Sequence, residues 1–250
     1  MAAALVHSPT RAMASLLHSP GSPGRSVSRG FTLRASCPSS HSVLPGLAPL
    51  NDGYEAAHAF APFANWLVPG RVMLGRYPHV EKSRCASEEQ GRAQLKAVLG
   101  AGVSTFVCLQ DELPPQGSFP AGATIEGFAA YKPVAESIRA AAGGGAAPLH
   151  FVHAPIVDMD TPLTAMLHRL LADLRTRLAG GETLYIHCWG GRGRAGTVGA
   201  TLLASAFGVQ IEEALERVQR AYNTRNDEQP KSPETAAQFA FIRRYAEEHA

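Results

Sequence analysis

The first fifty residues contain no aspartate or glutamate, and the first acidic side chain is Asp52. Cysteine is also sparse. Cys37, Cys85, Cys108 and Cys188 are scattered without a C-x-x-C pair, which argues against a disulfide scaffold and against a structural zinc site. Each thiol is then a question of its own. No apolar run approaches the roughly 20 residues that cross a bilayer, so no membrane span is expected, and no internal repeat is present. The net charge of +2 is unevenly distributed: setting aside Arg11, Arg25, Arg29 and Arg34 leaves 19 basic against 21 acidic side chains. The body is nearly neutral, and no nucleic-acid partner is expected of it.

The acid-free leader is rich in Ser, Ala and Pro and lacks the sustained apolar core and small-residue cleavage site of a secretory signal. It reads either as an organelle transit peptide or as a disordered tail too poor in apolar surface to fold. Either reading removes residues 1–50 from the fold. The stretch Thr32-Leu33-Arg34-Ala35-Ser36-Cys37 resembles chloroplast processing sites more than mitochondrial ones. A tail without targeting value would leave the protein cytoplasmic.

Residues 51–250 are long enough for one domain with a real core. Periodicity predicts strands at Arg71 to Gly75, Val103 to Leu109, Phe151 to Ile156 and Thr183 to His187. Helices are expected at Glu88 to Gly100, Pro162 to Leu178, Arg194 to Phe207, Ile211 to Tyr222 and Glu234 to Glu248. Residues 113–147 interrupt this rhythm with Pro114, Pro115, Pro120 and the Gly143-Gly144-Gly145 run, and read as an inserted or lid-like excursion with a short helix near Val134 to Ala142. The alternation implies an α/β fold with a mostly parallel sheet covered by helices on both faces and a ligand site beyond the carboxyl ends of the strands.

One such end carries His187-Cys188-Trp189-Gly190-Gly191-Arg192-Gly193-Arg194-Ala195-Gly196-Thr197. Gly190, Gly191 and Gly193 permit backbone angles that turn successive N–H groups inward as an anion nest, and the following helix adds its free N–H groups and positive dipole end. A phosphate dianion fits there. The same dipoles, with Arg194, favour the thiolate of Cys188 and make it a nucleophile. Arg194 can hold two phosphoryl oxygens with its planar fork, a geometry that lysine lacks.

This stretch resembles the H-C-x5-R phosphate-binding loop of the protein tyrosine and dual-specificity phosphatase superfamily. Its Cys-aromatic-Gly-Gly-x-Gly-Arg form is most similar to kinase-associated phosphatases that act on cyclin-dependent kinases. The resemblance implies a dual-specificity-phosphatase-like domain acting on a phosphorylated protein or another phosphomonoester through a phosphocysteine at Cys188, with no cofactor and no metal. A monomer is expected.

Such chemistry also needs a carboxylic acid from a separate loop. Pro155-Ile156-Val157-Asp158-Met159-Asp160-Thr161-Pro162 resembles the family's P-I-x-D-x-x-T-P segment, which selects Asp158 as the acid. Asp160 is the reserve and suits a helix cap. The resemblance places Gln238 where a residue can orient the hydrolytic water, although a helix-surface glutamine is an equal reading. His187 is expected to support the loop. Arg192 is either a second cation for a highly phosphorylated substrate or a solvated side chain. Trp189 is either an apolar wall of the site or packing beneath the loop.

The family usually has Ser or Thr directly after the loop arginine, and here that position is Ala195. The substitution supports a rival reading, a phosphate-binding module with weak or no turnover. Thr197 lies two residues on and faces elsewhere. Plastid glucan phosphatases, of the same superfamily, share the alanine, and phosphoinositides or phosphoglucans join phosphoproteins as candidate substrates. Sulfur transfer, which rhodanese-like loops perform with a shorter Cys-to-Arg spacing, is disfavoured by the five intervening residues. Cys108 ends a strand expected beside that of Cys188 and could form a protecting disulfide with it, as a cysteine on a similar strand does in kinase-associated phosphatases. The alternative is a buried inert thiol.

Overall fold

The computed structural model describes residues 44–143, 147–225 and 230–249. The transit-peptide expectation falls mainly on residues 1–43, which lie outside the described residues, as does most of the Gly/Ala run.

The sheet has five strands: β1 (Ala64–Val68), β2 (Val72–Gly75), β3 (Thr105–Gln110), β6 (His150–Ile156) and β7 (Leu184–His187). Their order is β1-β2-β7-β3-β6. Only β1 is antiparallel, to β2; the other pairs are parallel. Sequence reading missed β1, because Ala-Asn-Trp-Leu-Val is short, does not alternate, and lies between Pro62 and Pro69. The other four strands end within two residues of their expected limits.

Strand alternation sends successive side chains to opposite faces, and two apolar clusters result. Val72, Leu74, Val107, Leu109, Leu184 and Ile186 point into one. It is covered by α4 (Thr164–Ala179), α5 (Gly193–Phe207), α6 (Ile211–Asn223) and α7 (Ala236–Glu248). Met73, Phe106 and Tyr185 point into the other, beneath α2 (Glu88–Gly100) and α3 (Lys132–Ala141). The short α1 (Tyr54–His58) lies against α6, where the Tyr54 hydroxyl donates to the Arg217 carbonyl. Before α1, Leu44 and Leu47 rest on the first cluster, and Arg217 and Arg220 donate to the Ala48 and Asn51 carbonyls.

The Pro- and Gly-rich segment 113–147 forms a hairpin, β4 (Thr124–Ile125) and β5 (Phe128–Ala129), followed by α3. Leu113, Phe119, Phe128, Tyr131 and Ala135 are buried in the second cluster, so its described residues form part of the core. Burying the four larger side chains contributes about 2 kcal/mol each, enough to fix a segment whose backbone has few regular hydrogen bonds.

Candidate active site

Cys188 follows β7 directly and Gly193 opens α5, so the expected loop spans the strand's carboxyl end and the helix's start. Its carbonyls are tied outward. Tyr77 N–H donates to Trp189 O (3.0 Å), Arg225 Nη1 to Gly190 O (3.3 Å) and Ser232 Oγ to Arg192 O (3.1 Å). With these three carbonyls engaged, the loop amides are left available to an anion, as a nest requires. Gly191 N–H donates to Cys188 Sγ at 3.2 Å, and the thiol is 3% exposed.

Gly191 is dictated twice. Its φ is +66°, and a Cβ there would lie 2.2 Å from the carbonyl carbon and oxygen of Gly75 at the end of β2. The loop is thus pressed against sheet backbone that cannot yield.

Arg194 is 1% exposed. Its Nη1 donates to Glu112 Oε2 (2.7 Å) and Ile156 O (3.1 Å), and its Nη2 to Glu112 Oε1 (3.1 Å). Asp158 Oδ1 also meets Nη2, at 2.9 Å. The Nε–H is buried without a partner among the described residues. Glu112 thus grips the end of the guanidinium while the Nε/Nη2 edge keeps a free donor. Burial opposes charge on both partners, yet their mutual hydrogen bonds hold Arg194 above the ordinary arginine range and Glu112 below the usual carboxylate range.

Sequence reading missed Glu112. It lies just past β3, at the same sheet end as Cys188, and a carboxylate at that end of a parallel strand is the signal that could have found it. Arg225 was missed too. Its Nε donates to Asn65 Oδ1 (2.6 Å) and its Nη2 to Leu74 O (2.7 Å), which couples β1, β2 and the loop. Burial pulls it down to about 10.

Asp158 is brought to Arg194 and half exposed at the cleft. Asp160 does not cap α4, whose N-cap is Leu163 without a side-chain cap bond; its Oδ1 accepts from the Thr161 N–H at 2.7 Å. Gln238 is fully buried, which corrects the helix-surface reading. Its Oε1 accepts from the Glu234 and Thr235 N–H groups, and its Nε2 donates to Asp160 O (3.0 Å). It therefore ties α7 to the loop that carries Asp158.

His187 is buried and shares a 2.9 Å hydrogen bond with the Tyr131 hydroxyl. Burial, chiefly, pushes it down to about 3, so it is neutral. Arg192 is ion-paired with Glu234 and 28% exposed, so it is neither fully solvated nor an unpaired cation. Trp189 Nε1 donates to Glu81 Oε2 at 2.8 Å, its ring meets Phe128 edge-on, and Lys82 Nζ lies 4.8 Å from its centroid. It both packs and lines the cleft. Ala195 is buried, and the Thr197 hydroxyl donates to Gly193 O at 2.9 Å, away from the thiol's role. Cys108 pairs in register with His187; burial pushes its thiol up to about 12.

Cys188, Arg194 and Asp158 open into one cleft of about 460 Å3. Among the described residues no cluster of His, Cys, Asp and Glu could hold a metal ion, and no helix is long and apolar enough to cross a membrane. A family model, the Swiss Army Knife protein DSP-PTPase phosphatase domain, matches residues 61–246. The chain belongs to this DSP-PTPase family. It is a cysteine-dependent phosphatase of the dual-specificity type.

The DSP-PTPase domain has the fold of solved phosphatases. Tk-PTP in its active form aligns over 74% of this chain and 97% of its own, at 24% identity and TM-score 0.52. PTPMT1 in complex with PI(5)P aligns over 74% and 96%, at 18% identity and TM-score 0.50. Kinase-associated phosphatase aligns over 71% and 86%, at 18% identity and TM-score 0.48. No curated protein matches the chain.

Proposed function

We propose that this phosphatase hydrolyses phosphomonoesters in two steps carried by Cys188, Arg194 and Asp158. The observation that supports this most is the buried, unpartnered Nε–H of Arg194 beside a nest that already directs an N–H to Cys188 Sγ. A phosphate there receives a side-on fork from Nε and Nη2. It takes the place of Asp158 on Nη2 and frees that carboxyl for the leaving group.

In the first step Cys188 Sγ forms a bond to phosphorus as the P–O bond to the leaving group breaks, and protonated Asp158 gives its proton to the departing oxygen. In the second, water attacks phosphorus, its proton passes to the Asp158 carboxylate, and the S–P bond breaks to restore the Cys188 thiolate. Glu112 holds the arginine in place throughout, and Gln238 positions the acid loop through the Asp160 carbonyl. The acid-free leader supports organelle delivery, to plastid rather than mitochondrion; a fluorescent protein fused after residue 50 and found throughout the cytoplasm would exclude it.

The test is aryl phosphate hydrolysis under reducing, metal-free conditions. The wild type turns over, Cys188→Ser loses all activity, and Asp158→Ala loses about a hundredfold or more in kcat. An inactive wild type that still binds vanadate would instead identify a binding module, the outcome that Ala195 favours.

A further inference from the structure

The active cleft is lined by five arginines, Arg76, Arg84, Arg192, Arg194 and Arg225, against the carboxylates Asp158 and Glu234. Three have evident work. Arg194 is the phosphate clamp, Arg225 is spent on backbone carbonyls and Asn65, and Arg192 is paired with Glu234. Arg76 and Arg84 make no ion pair among the described residues.

Their placement is specific. Arg76 donates to the neutral Gln94 Oε1 (3.2 Å) and to the Arg84 carbonyl (3.4 Å). Arg84 follows a tight turn organised by Glu81, which is 1% exposed. The Glu81 carboxylate accepts from Ser83 N–H (2.9 Å), Ser83 Oγ (2.8 Å), Trp189 Nε1 (2.8 Å) and Arg84 N–H. It is saturated there, so the acid nearest in sequence fixes the Arg84 backbone without neutralising its head. The turn carries the exposed guanidinium over the catalytic loop: a Cβ on Gly190 would lie 3.5 Å from Arg84 Nη1.

We propose that Arg84, with Arg76 behind it, forms a second anion subsite that selects compact substrates carrying another phosphate beside the one removed. The inference rests on the phosphatase reading above and adds the substrate class. The cleft is lined by arginine, glycine and carboxylate more than by apolar groups. That lining suits a polyhydroxylated bisphosphate, whose hydroxyls also hydrogen-bond, over a peptide that needs apolar seats for flanking side chains. Two guanidiniums without carboxylates would otherwise repel each other beside the cation already at the thiol, and a dianion removes that repulsion.

The experiment compares inositol monophosphate with inositol bisphosphate on the full chain, by phosphate release and by calorimetric binding to Cys188→Ser, each with and without Arg84→Ala or Arg76→Ala. The bisphosphate is expected to be preferred about tenfold, the worth of one charge-assisted contact, and Arg84→Ala to bring the ratio close to one, with Arg84→Lys intermediate. Equal kcat/KM for both compounds, or a ratio unmoved by Arg84→Ala, overturns the subsite. Preference in binding without turnover by the wild type would sink the catalytic reading and leave the subsite standing. A doubly phosphorylated peptide that outcompetes the inositol compound in an Arg84-dependent way overturns the compact-substrate class. Phosphatidylinositol bisphosphate vesicles, compared with the soluble headgroup, tell a lipid source from a free one.

Discussion

Glu112→Gln is expected to weaken both the fold and the reaction, because it replaces the bidentate carboxylate on a fully buried guanidinium with a neutral amide. The bidentate grip consists of two charge-assisted bonds, at 2.7 and 3.1 Å, each worth about 1.5–3 kcal/mol. Releasing the Glu112 carboxylate from its own desolvation returns part of that, and Arg194 keeps Ile156 O and Asp158. A net loss of about 2 kcal/mol follows, which at an m-value of about 2 kcal/mol/M lowers the urea midpoint by about 1 M. The folded carboxyl titrates below its unfolded value, so its contribution is fully present above about pH 4.3 and is lost as pH falls through the lower folded value. The gap between wild type and variant should therefore hold from pH 8 to 5 and begin to narrow as pH falls below about 4.3. Loss of the grip also lets the fork wander, and kcat should fall about tenfold or more. Urea curves read by tryptophan fluorescence across pH decide the matter. An unchanged midpoint at pH 7, or a gap that widens as pH falls below about 4.3, would refute the reasoning.

Gly191→Ala should abolish aryl phosphate turnover and cost about 2–4 kcal/mol in the same urea assay, since its Cβ would strike Gly75 backbone at a left-handed φ; an active variant of ordinary stability would show that the loop can shift. His187, folded neutral with a value of about 3, binds a proton more readily when unfolded, so it makes stability fall as pH drops below about 6.5. His187→Gln should flatten that slope by up to one proton, the remainder coming from His58 and His79, which burial also shifts downward. An unchanged slope would count against it. Cys108→Ser should leave reduced activity intact but prevent thiol-dependent recovery after mild peroxide; equal recovery would leave Cys108 as packing.

The sequence displayed the reacting centre because that centre is local. The eleven residues 187–197, from the end of β7 into the start of α5, contain the proposed nucleophile Cys188, the glycines and Arg194, and the segment of the proposed acid Asp158 is also continuous. What supports the centre is not local. Glu112 reaches Arg194 across 82 positions and Arg225 reaches Leu74 across 151, and no periodicity marks such partners. For Gln238 the helix was right and the surface alternative was not, since burial depends on how α7 meets the loop after β6. The short helix expected within 113–147 is present as Lys132–Ala141, but Pro and Gly mark only a broken backbone, while Phe119, Phe128 and Tyr131 decide that the described residues pack into the core.

The depth of Cys188 has a consequence for how the protein meets the cell's oxidants. Cys188 is 3% exposed at a cleft lined by five arginines, a setting that favours small reagents and phosphate-sized anions over bulky disulfides whose own sulfur must approach in line. Hydrogen peroxide is therefore expected to inactivate the enzyme faster than oxidised glutathione does, and equal rates of inactivation would show that no such sieve exists. The architecture that admits a phosphoryl group thereby also chooses which redox signals the phosphatase can hear.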